Sequence, residues 1–263
     1  MTTLPISVCI IAGNEAARIG RALESVAGWT GEIIVVLNDD VNDGTDNIAA
    51  EFGAKVFREP WKGHIAQKNS AAAKATRPWI LGLDSDEVVS SGLQGEIQAL
   101  FAGDNPSDSI AAFDFPRCSF YCGRWIRHGD WYPDRQTRLW RRGRALWGGV
   151  DPHDRLTVQG RVGRLQHHLQ HFSNDSVNAH IRKIIPFTDE YVRQRAPTGT
   201  ASKILGLTIR PLWRFVRAYI FRLGFLDGWQ GLYIAWLNAF STACKYAKMF
   251  EAEQLKIRKI QTD

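Results

Sequence analysis

The chain has 263 residues, 44% of them hydrophobic and 23% charged, and a net charge of +6. Those proportions belong to a globular protein with a full core and exclude a disordered chain, and the length suits one large domain or one domain with an appendage. Residues 181–263 hold 14 Lys and Arg against 6 Asp and Glu, whereas the first 180 residues hold 19 against 21, so the positive excess belongs to the last third.

The opening dozen residues lack a basic start, and their apolar run is too short for a secretory leader. Cys9, Cys118, Cys122 and Cys244 show no paired metal spacing, which points to a reduced cytosolic compartment. In chain order, the β-branched run over residues 6–12 predicts a strand, Gly13-Asn14-Glu15 a turn, and residues 16–27 a helix. The pattern repeats with a strand at 32–37, a polar loop at 38–44, a helix at 45–52 closed by Gly53, a strand at 54–58 and an alanine-rich helix at 64–75. Strands alternating with helices in this way predict a mostly parallel sheet flanked by helices, an α/β nucleotide-binding architecture.

The next strand, Trp79-Ile80-Leu81-Gly82-Leu83, ends abruptly in Asp84-Ser85-Asp86-Glu87. Two aspartates one residue apart at a strand's carboxyl end suit a divalent cation, Mg²⁺ or Mn²⁺, holding phosphate oxygens. The spacing alone also fits a solvated turn; its position after a buried strand favours the ligand reading. Parallel strands share one polarity, so the loops carrying Glu15, Asn38, Asp39 and Asp40 reach the same sheet edge, with Gln67, Lys68 and Asn69 nearby. Taken singly, these residues equally suit caps and solvated loops.

Beyond a helix at 92–102 and a strand at 110–115, aromatics and arginines crowd together over residues 123–142, including Asp130, Trp131, Asp134 and Arg138. Indole faces stack on sugar rings and guanidinium forks hold oxyanions, so this segment reads as a carbohydrate-facing surface or as arginines stacked on surface tryptophans. His167, His168 and His171 have no zinc-finger partners at the required spacing. In the tail, Arg210, Arg214 and Arg217 recur on one helical face and Leu212, Phe215, Val216 and Tyr219 on another. Residues 228–244 are uncharged but carry Gln230, Asn238, Ser241 and Thr242, at or below the length of a spanning helix. The tail thus predicts helices lying on an anionic membrane surface, or packed on the core or a second subunit, rather than a nucleic-acid contact. The expected domains are 1–180, catalytic, and 181–263, helical and basic.

Assembled, the stretches Asn14-Glu15, Asp43-Gly44-Thr45, Ala66-Gln67-Lys68-Asn69, Leu83-Asp84-Ser85-Asp86-Glu87, Trp131-Tyr132-Pro133-Asp134, Arg138-Leu139-Trp140-Arg141-Arg142-Gly143 and Arg210-Pro211-Leu212-Trp213-Arg214-Phe215 resemble a bacterial family 2 glycosyltransferase of the lipopolysaccharide-core glucosyltransferase type. The resemblance implies a GT-A fold with a C-terminal amphipathic helical appendage, a nucleotide-sugar donor (a UDP-sugar), a divalent metal and inversion at the anomeric carbon. It implies a lipid-linked or lipopolysaccharide acceptor and a cytoplasmic enzyme at the inner face of the plasma membrane. By the same resemblance Asp84 lies by the donor ribose and metal, with Glu15, Asn38, Asp39, Asp40, Lys68 and Asn69 around the nucleotide. Asp86 ligates the metal, His171 completes its binding, and Asp154 is the general base, with Asp130 and Asp134 in reserve. Asp130, Trp131, Asp134 and Arg138 then border the acceptor. Two departures stand out: Leu37-Asn38 replaces an expected aspartate, and His153-Asp154 has aspartate where glutamate is common. Two other readings compete. A nucleotidyltransferase would carry a glycine- and arginine-rich loop after its first strand, which Gly13-Asn14-Glu15 does not resemble. A non-catalytic membrane or nucleic-acid binder would leave the acids at the sheet edge unexplained.

Overall fold

The computed structural model describes residues 3–103, 106–151, 153–174, 176–194 and 199–262. The chain falls into two compact units, one of residues 1–117 and 134–171, the other of residues 118–133 and 172–263. Residues 118–133, which the sequence reading assigned to the first domain, therefore cluster with the C-terminal helices. The cause is contact remote in sequence: the Gly129 N–H donates to Arg222 O, and the buried carboxylate of Asp227 accepts the backbone N–H groups of Arg127 and His128 at 3.0 and 2.8 Å.

In the first unit the alternation read from sequence is present: β1 (Leu4–Ala12), α1 (Ile19–Glu24), β2 (Thr30–Asn38), α2 (Thr45–Glu51), β3 (Lys55–Glu59), α3 (His64–Ala73) and β4 (Trp79–Asp84). The strands β3, β2, β1 and β4 are hydrogen-bonded side by side and all parallel. The Val, Ile and Leu runs of β1, β2 and β4 are buried because helices cover both faces. One core cluster joins Ile6, Val8, Ile10 and Val35 to Leu23 and Ile19 of α1, and the opposite cluster joins Cys9, Ile34 and Val36 to Ala71 of α3.

After β5 (Glu87–Val89) and α4 (Ser91–Leu100) come β6 (Ile110–Tyr121), β7 (Arg124–Ile126), β8 (Asp134–Arg141), β9 (Ala145–Val150), β10 (His153–Val158), β11 (Arg161–Arg164) and β12 (Leu169–Asn174). The sheet is mixed: β8 lies antiparallel between β4 and β6, the β9–β10 hairpin stands apart from it, and Leu169–His171 of β12 pair antiparallel with β5. The insertion of β8 brings Arg138 beside the carboxyl end of β4, and the return of β12 brings His171 beside β5.

The second unit is mainly helical: α5 (Val177–Arg193), α6 (Thr200–Leu207), α7 (Ile209–Val216) and the 35-residue α8 (Gly228–Thr262). The amphipathic segment read around Arg210 is α7, and the uncharged stretch 228–244 is the first half of α8. Among the described residues no helix is long and apolar enough to cross a membrane.

Candidate active site

The carboxyl ends of β1, β2 and β4 carry the loops where acids gather, and hydrogen bonds lock the first two loops together. Asp43 accepts from Thr45 Oγ1 at 2.5 Å and from the Ala16 N–H at 3.0 Å, and Thr45 Oγ1 accepts from the Glu15 N–H at 3.0 Å. Gly44 stands between them at φ +89°, left-handed backbone that a side chain would strain. The Asp43-Gly44-Thr45 run is thus a knot that holds Glu15 at the sheet edge. Burial raises the Glu15 pKa, and the nearby carboxylates of Asp86 and Asp43 add to that against the opposing pull of Arg18. Asn38 ends β2 with a buried Oδ1 that has no protein partner, whereas Asp39 and Asp40 are exposed.

At the end of β4, charges interlock. Lys68, buried on α3, sits 2.8 Å from Asp84 Oδ1 and donates to Asp154 Oδ2 at 2.8 Å. Arg138 Nη2 donates to Asp84 Oδ2 at 2.7 Å and to Glu87 Oε1 at 3.1 Å. Glu87, fully buried, also accepts the Asp84 N–H at 3.0 Å and lies 3.2 Å from Arg117, which in turn grips Asp134 at 2.7 Å. Burial opposes ionisation of Asp84, but Arg138 and Lys68 overcome it and hold the carboxyl far below the usual range. Asp86 next door is lowered as well: burial and Asp84 resist, while His171 and Arg117 prevail. His171 Nε2 lies 3.5 Å from Asp86 Oδ2.

The hairpin β9–β10 delivers Asp154 to this cluster through α3. Asp151 accepts the Ile65 N–H at 3.0 Å, and the Asn69 amide makes a reciprocal pair with the Trp147 backbone at 2.9 and 3.0 Å. The indole of Trp147 then covers Lys68 and Arg138, at 4.6 and 5.2 Å from the ring centre. Gly82 makes room for that ring: a Cβ there would lie 3.1 Å from Trp147 and 3.0 Å from Trp140. The result is a cavity lined by Lys68, Gly82, Asp84, Arg138 and Trp147. Nε and Nη1 of Arg138 and both amide atoms of Gln67 are buried there or close by in sequence without protein partners.

The first unit therefore brings together Asp84, Asp86, Lys68, Arg138, Asp154 and His171, with Glu15 and Asn38 on the same edge. Other residues have different work. Both polar atoms of Asn69 are engaged by the Trp147 backbone, so Asn69 positions the hairpin. Asp130 lies in the second unit with its carboxylate 5% exposed, 2.6 Å from Arg217 and 3.3 Å from Arg214. Trp131 packs there against Tyr121 and His180, at ring separations of 5.4 and 5.1 Å. Asp134 is held by Arg117 and Gln136. Asp130 and Asp134 are thus each ion-paired with arginine, and partly buried Trp131 packs on aromatic rings. The side chain of His153 lies outside the described residues. Sequence reasoning missed the roles of Glu87, Arg117 and Trp147; Glu87 is the third acid of its run and could have been suspected, whereas nothing local marks the other two.

Among the described residues no three His, Cys, Asp or Glu groups converge as a complete metal cage. Asp86 and His171 supply one hard oxygen and one imidazole nitrogen. That pair fits two ligands of a divalent cation; phosphate oxygens and water would have to supply the rest, as they commonly do for Mg²⁺ on nucleotides.

Residues 7–159 match the model of glycosyl transferase family 2. An uncharacterized glycosyltransferase of Rickettsia typhi is 30% identical over 97% of this chain and 89% of its own. The lipopolysaccharide core biosynthesis glycosyltransferase LpsC of Rhizobium meliloti is 27% identical over 97% of this chain and 95% of its own. The structure of S. aureus TarS 1–349 in complex with UDP-GlcNAc superposes with a TM-score of 0.50 at 14% identity, covering 90% of this chain and 79% of that one. The mixed sheet with flanking helices is a GT-A fold.

Proposed function

Because this chain belongs to glycosyl transferase family 2, we propose that it moves a hexose from a UDP-sugar to a lipopolysaccharide-core or other lipid-linked envelope glycan, with inversion at the anomeric carbon, from the cytoplasmic face of the inner membrane. The observation that carries this reading is the Asp84–Lys68–Asp154 bridge beside Asp86 and His171. It joins a candidate donor-phosphate site to a candidate base through one ammonium. The similarity to LpsC, a lipopolysaccharide core biosynthesis glycosyltransferase, supports the acceptor class, and the UDP-GlcNAc bound to TarS supports the donor class.

In this reading Asp154 accepts the proton of the acceptor hydroxyl as that oxygen attacks the anomeric carbon. The bond from that carbon to the diphosphate oxygen breaks, and its electron pair leaves with UDP. Lys68 and Arg138 face the developing negative charge from fixed positions, so little reorganisation is needed at the moment of transfer. A divalent ion held by Asp86 and His171 would neutralise charge on the diphosphate. Glu15 and Asn38 border the nucleoside, and the unpartnered Nη1 of Arg138 is available to a sugar or phosphate oxygen.

A thermal-shift screen of nucleotide sugars, each with and without Mn²⁺ or Mg²⁺, tests the donor. A ligand bound only by the folded state raises the melting temperature. UDP-sugars with the ion are expected to give the largest rise; a rise with none of them would remove the donor assignment.

A further inference from the structure

The second unit carries an exposed apolar stripe outside the site described above. On α8, Trp229, Leu232, Trp236 and Phe240 follow one another at i, i+3, i+7 and i+11, and all are exposed. On the neighbouring α7, Leu212 and Trp213 are likewise exposed, and Phe215 of α7 meets Trp236 of α8 at a ring separation of 4.8 Å. Scattered surface apolar residues are ordinary, but a continuous stripe of tryptophan, phenylalanine and leucine marks a surface built to be covered.

Charge identifies the cover. Residues 199–244 contain Arg210, Arg214, Arg217 and Arg222 besides Lys203, which is buried and paired with Glu253, and their one acid, Asp227, is 2% exposed and engaged by His128 at 3.0 Å. Buried Asp130 gathers three of those arginines, with Nη2 of Arg217 at 2.6 Å, Nε of Arg214 at 3.3 Å and Nη1 of Arg222 at 3.5 Å. One carboxylate cannot neutralise three guanidinium groups, and 38–47% of each arginine side chain is exposed. The arrangement leaves spare N–H donors and a net positive charge, held in place from beneath. Tryptophans at an interface, apolar residues between them and fixed arginines complement an anionic bilayer: rings reach the acyl boundary and guanidinium groups meet lipid phosphates.

We propose that α7 and the first half of α8 form a docking surface for bilayers rich in anionic phospholipid, with Asp130 as the residue that positions its arginines. This deepens the inner-membrane reading above and rests on it, but it is independent of the donor site in the first unit.

The test is co-sedimentation of the full chain with phosphatidylcholine vesicles that contain or lack phosphatidylglycerol, over a range of NaCl concentrations. Wild type is expected to bind the anionic vesicles only, and more weakly as salt rises. Trp229→Ser/Phe240→Ser should lose tenfold or more of that binding, and Arg222→Gln about fivefold, the share of one charge near an anionic surface. All of these side chains are well exposed, so both variants should keep the wild-type melting temperature and the wild-type thermal shift with UDP. Variants that bind like wild type would overturn the surface while leaving membrane association standing. Wild type that binds no vesicle at low salt would overturn both. A dimer that the aromatic substitutions turn into a monomer would assign the face to a second copy of the chain and overturn the proposal.

Discussion

Lys68 bridges the carboxylates of Asp84 and Asp154, and Arg138 bridges Asp84 to Glu87. Neither role would survive loss of the cation, because an uncompensated buried charge is far costlier than a missing apolar contact. Arg138 is 4% exposed, and its removal leaves wholly buried Glu87 with Arg117, and Asp84 with Lys68, as the one remaining cationic partner of each among the described residues. Arg138→Leu should therefore destabilise the fold by about 3–5 kcal/mol, read as a lower urea midpoint at unchanged slope. A loss under about 1 kcal/mol would mean that water or a neighbouring group already screens those acids. Arg117 reaches Glu87 as well, so Arg138→Lys should recover part of the stability.

At the scale of elements, the parallel half of the sheet was legible because β-branched runs alternate with alanine-rich or capped helical segments of matching length. The strand at 79–84 was legible for the same reason, and its terminal acids announced the site. The antiparallel insertion of β8 was not legible, since Arg135-Gln136-Thr137-Arg138 carries the charge of a surface loop and enters the sheet only because Asp84, Glu87 and Asp114 neutralise it. The hairpin that carries Asp154 was likewise hidden: it docks through Asn69 and Asp151, partners that no local pattern links. Asp154 itself was reached by family resemblance rather than by any local signal. The contact of β4 with the two tryptophans gives a prediction at this scale. Gly82→Ala puts a methyl 3.0 Å from Trp140 and 3.1 Å from Trp147, and overpacking of this kind costs about 1–3 kcal/mol. The same change should push Trp147 off Lys68 and Arg138, so donor affinity should fall along with the melting temperature. A variant as stable as wild type with intact donor binding would show that Trp147 is free to shift and that its cover is dispensable.

For the molecule as a whole, the charge asymmetry seen in the sequence separates two tasks: the first unit gathers acids and cations at one sheet edge, and the second presents basic and aromatic helices. The first unit is also tied at the opposite end of its strands. Glu32 accepts from Ser7 on β1, Lys55 on β3, and both the N–H and the hydroxyl of Thr76. Burial works against its ionisation, but those bonds win and lower its pKa from 4.5 to about 2. A carboxylate depressed in the folded state lends stability that is present above about 4.5 and lost as pH falls towards 2. Wild type should therefore lose melting temperature through that window, and Glu32→Gln should start lower at neutral pH and show a flatter acid limb. An unchanged acid limb in the variant would assign the acid sensitivity to other carboxylates.

The claim on which the account rests is that Asp154 removes the acceptor proton while the β4 edge holds the nucleotide. It is tested most directly by measuring UDP release with the preferred donor and a lipopolysaccharide-core acceptor, in parallel with UDP binding, for wild type and Asp154→Asn. The account predicts turnover lower by about 10²–10⁴-fold, with UDP affinity within a few-fold of wild type. Turnover in Asp154→Asn close to that of wild type would contradict it.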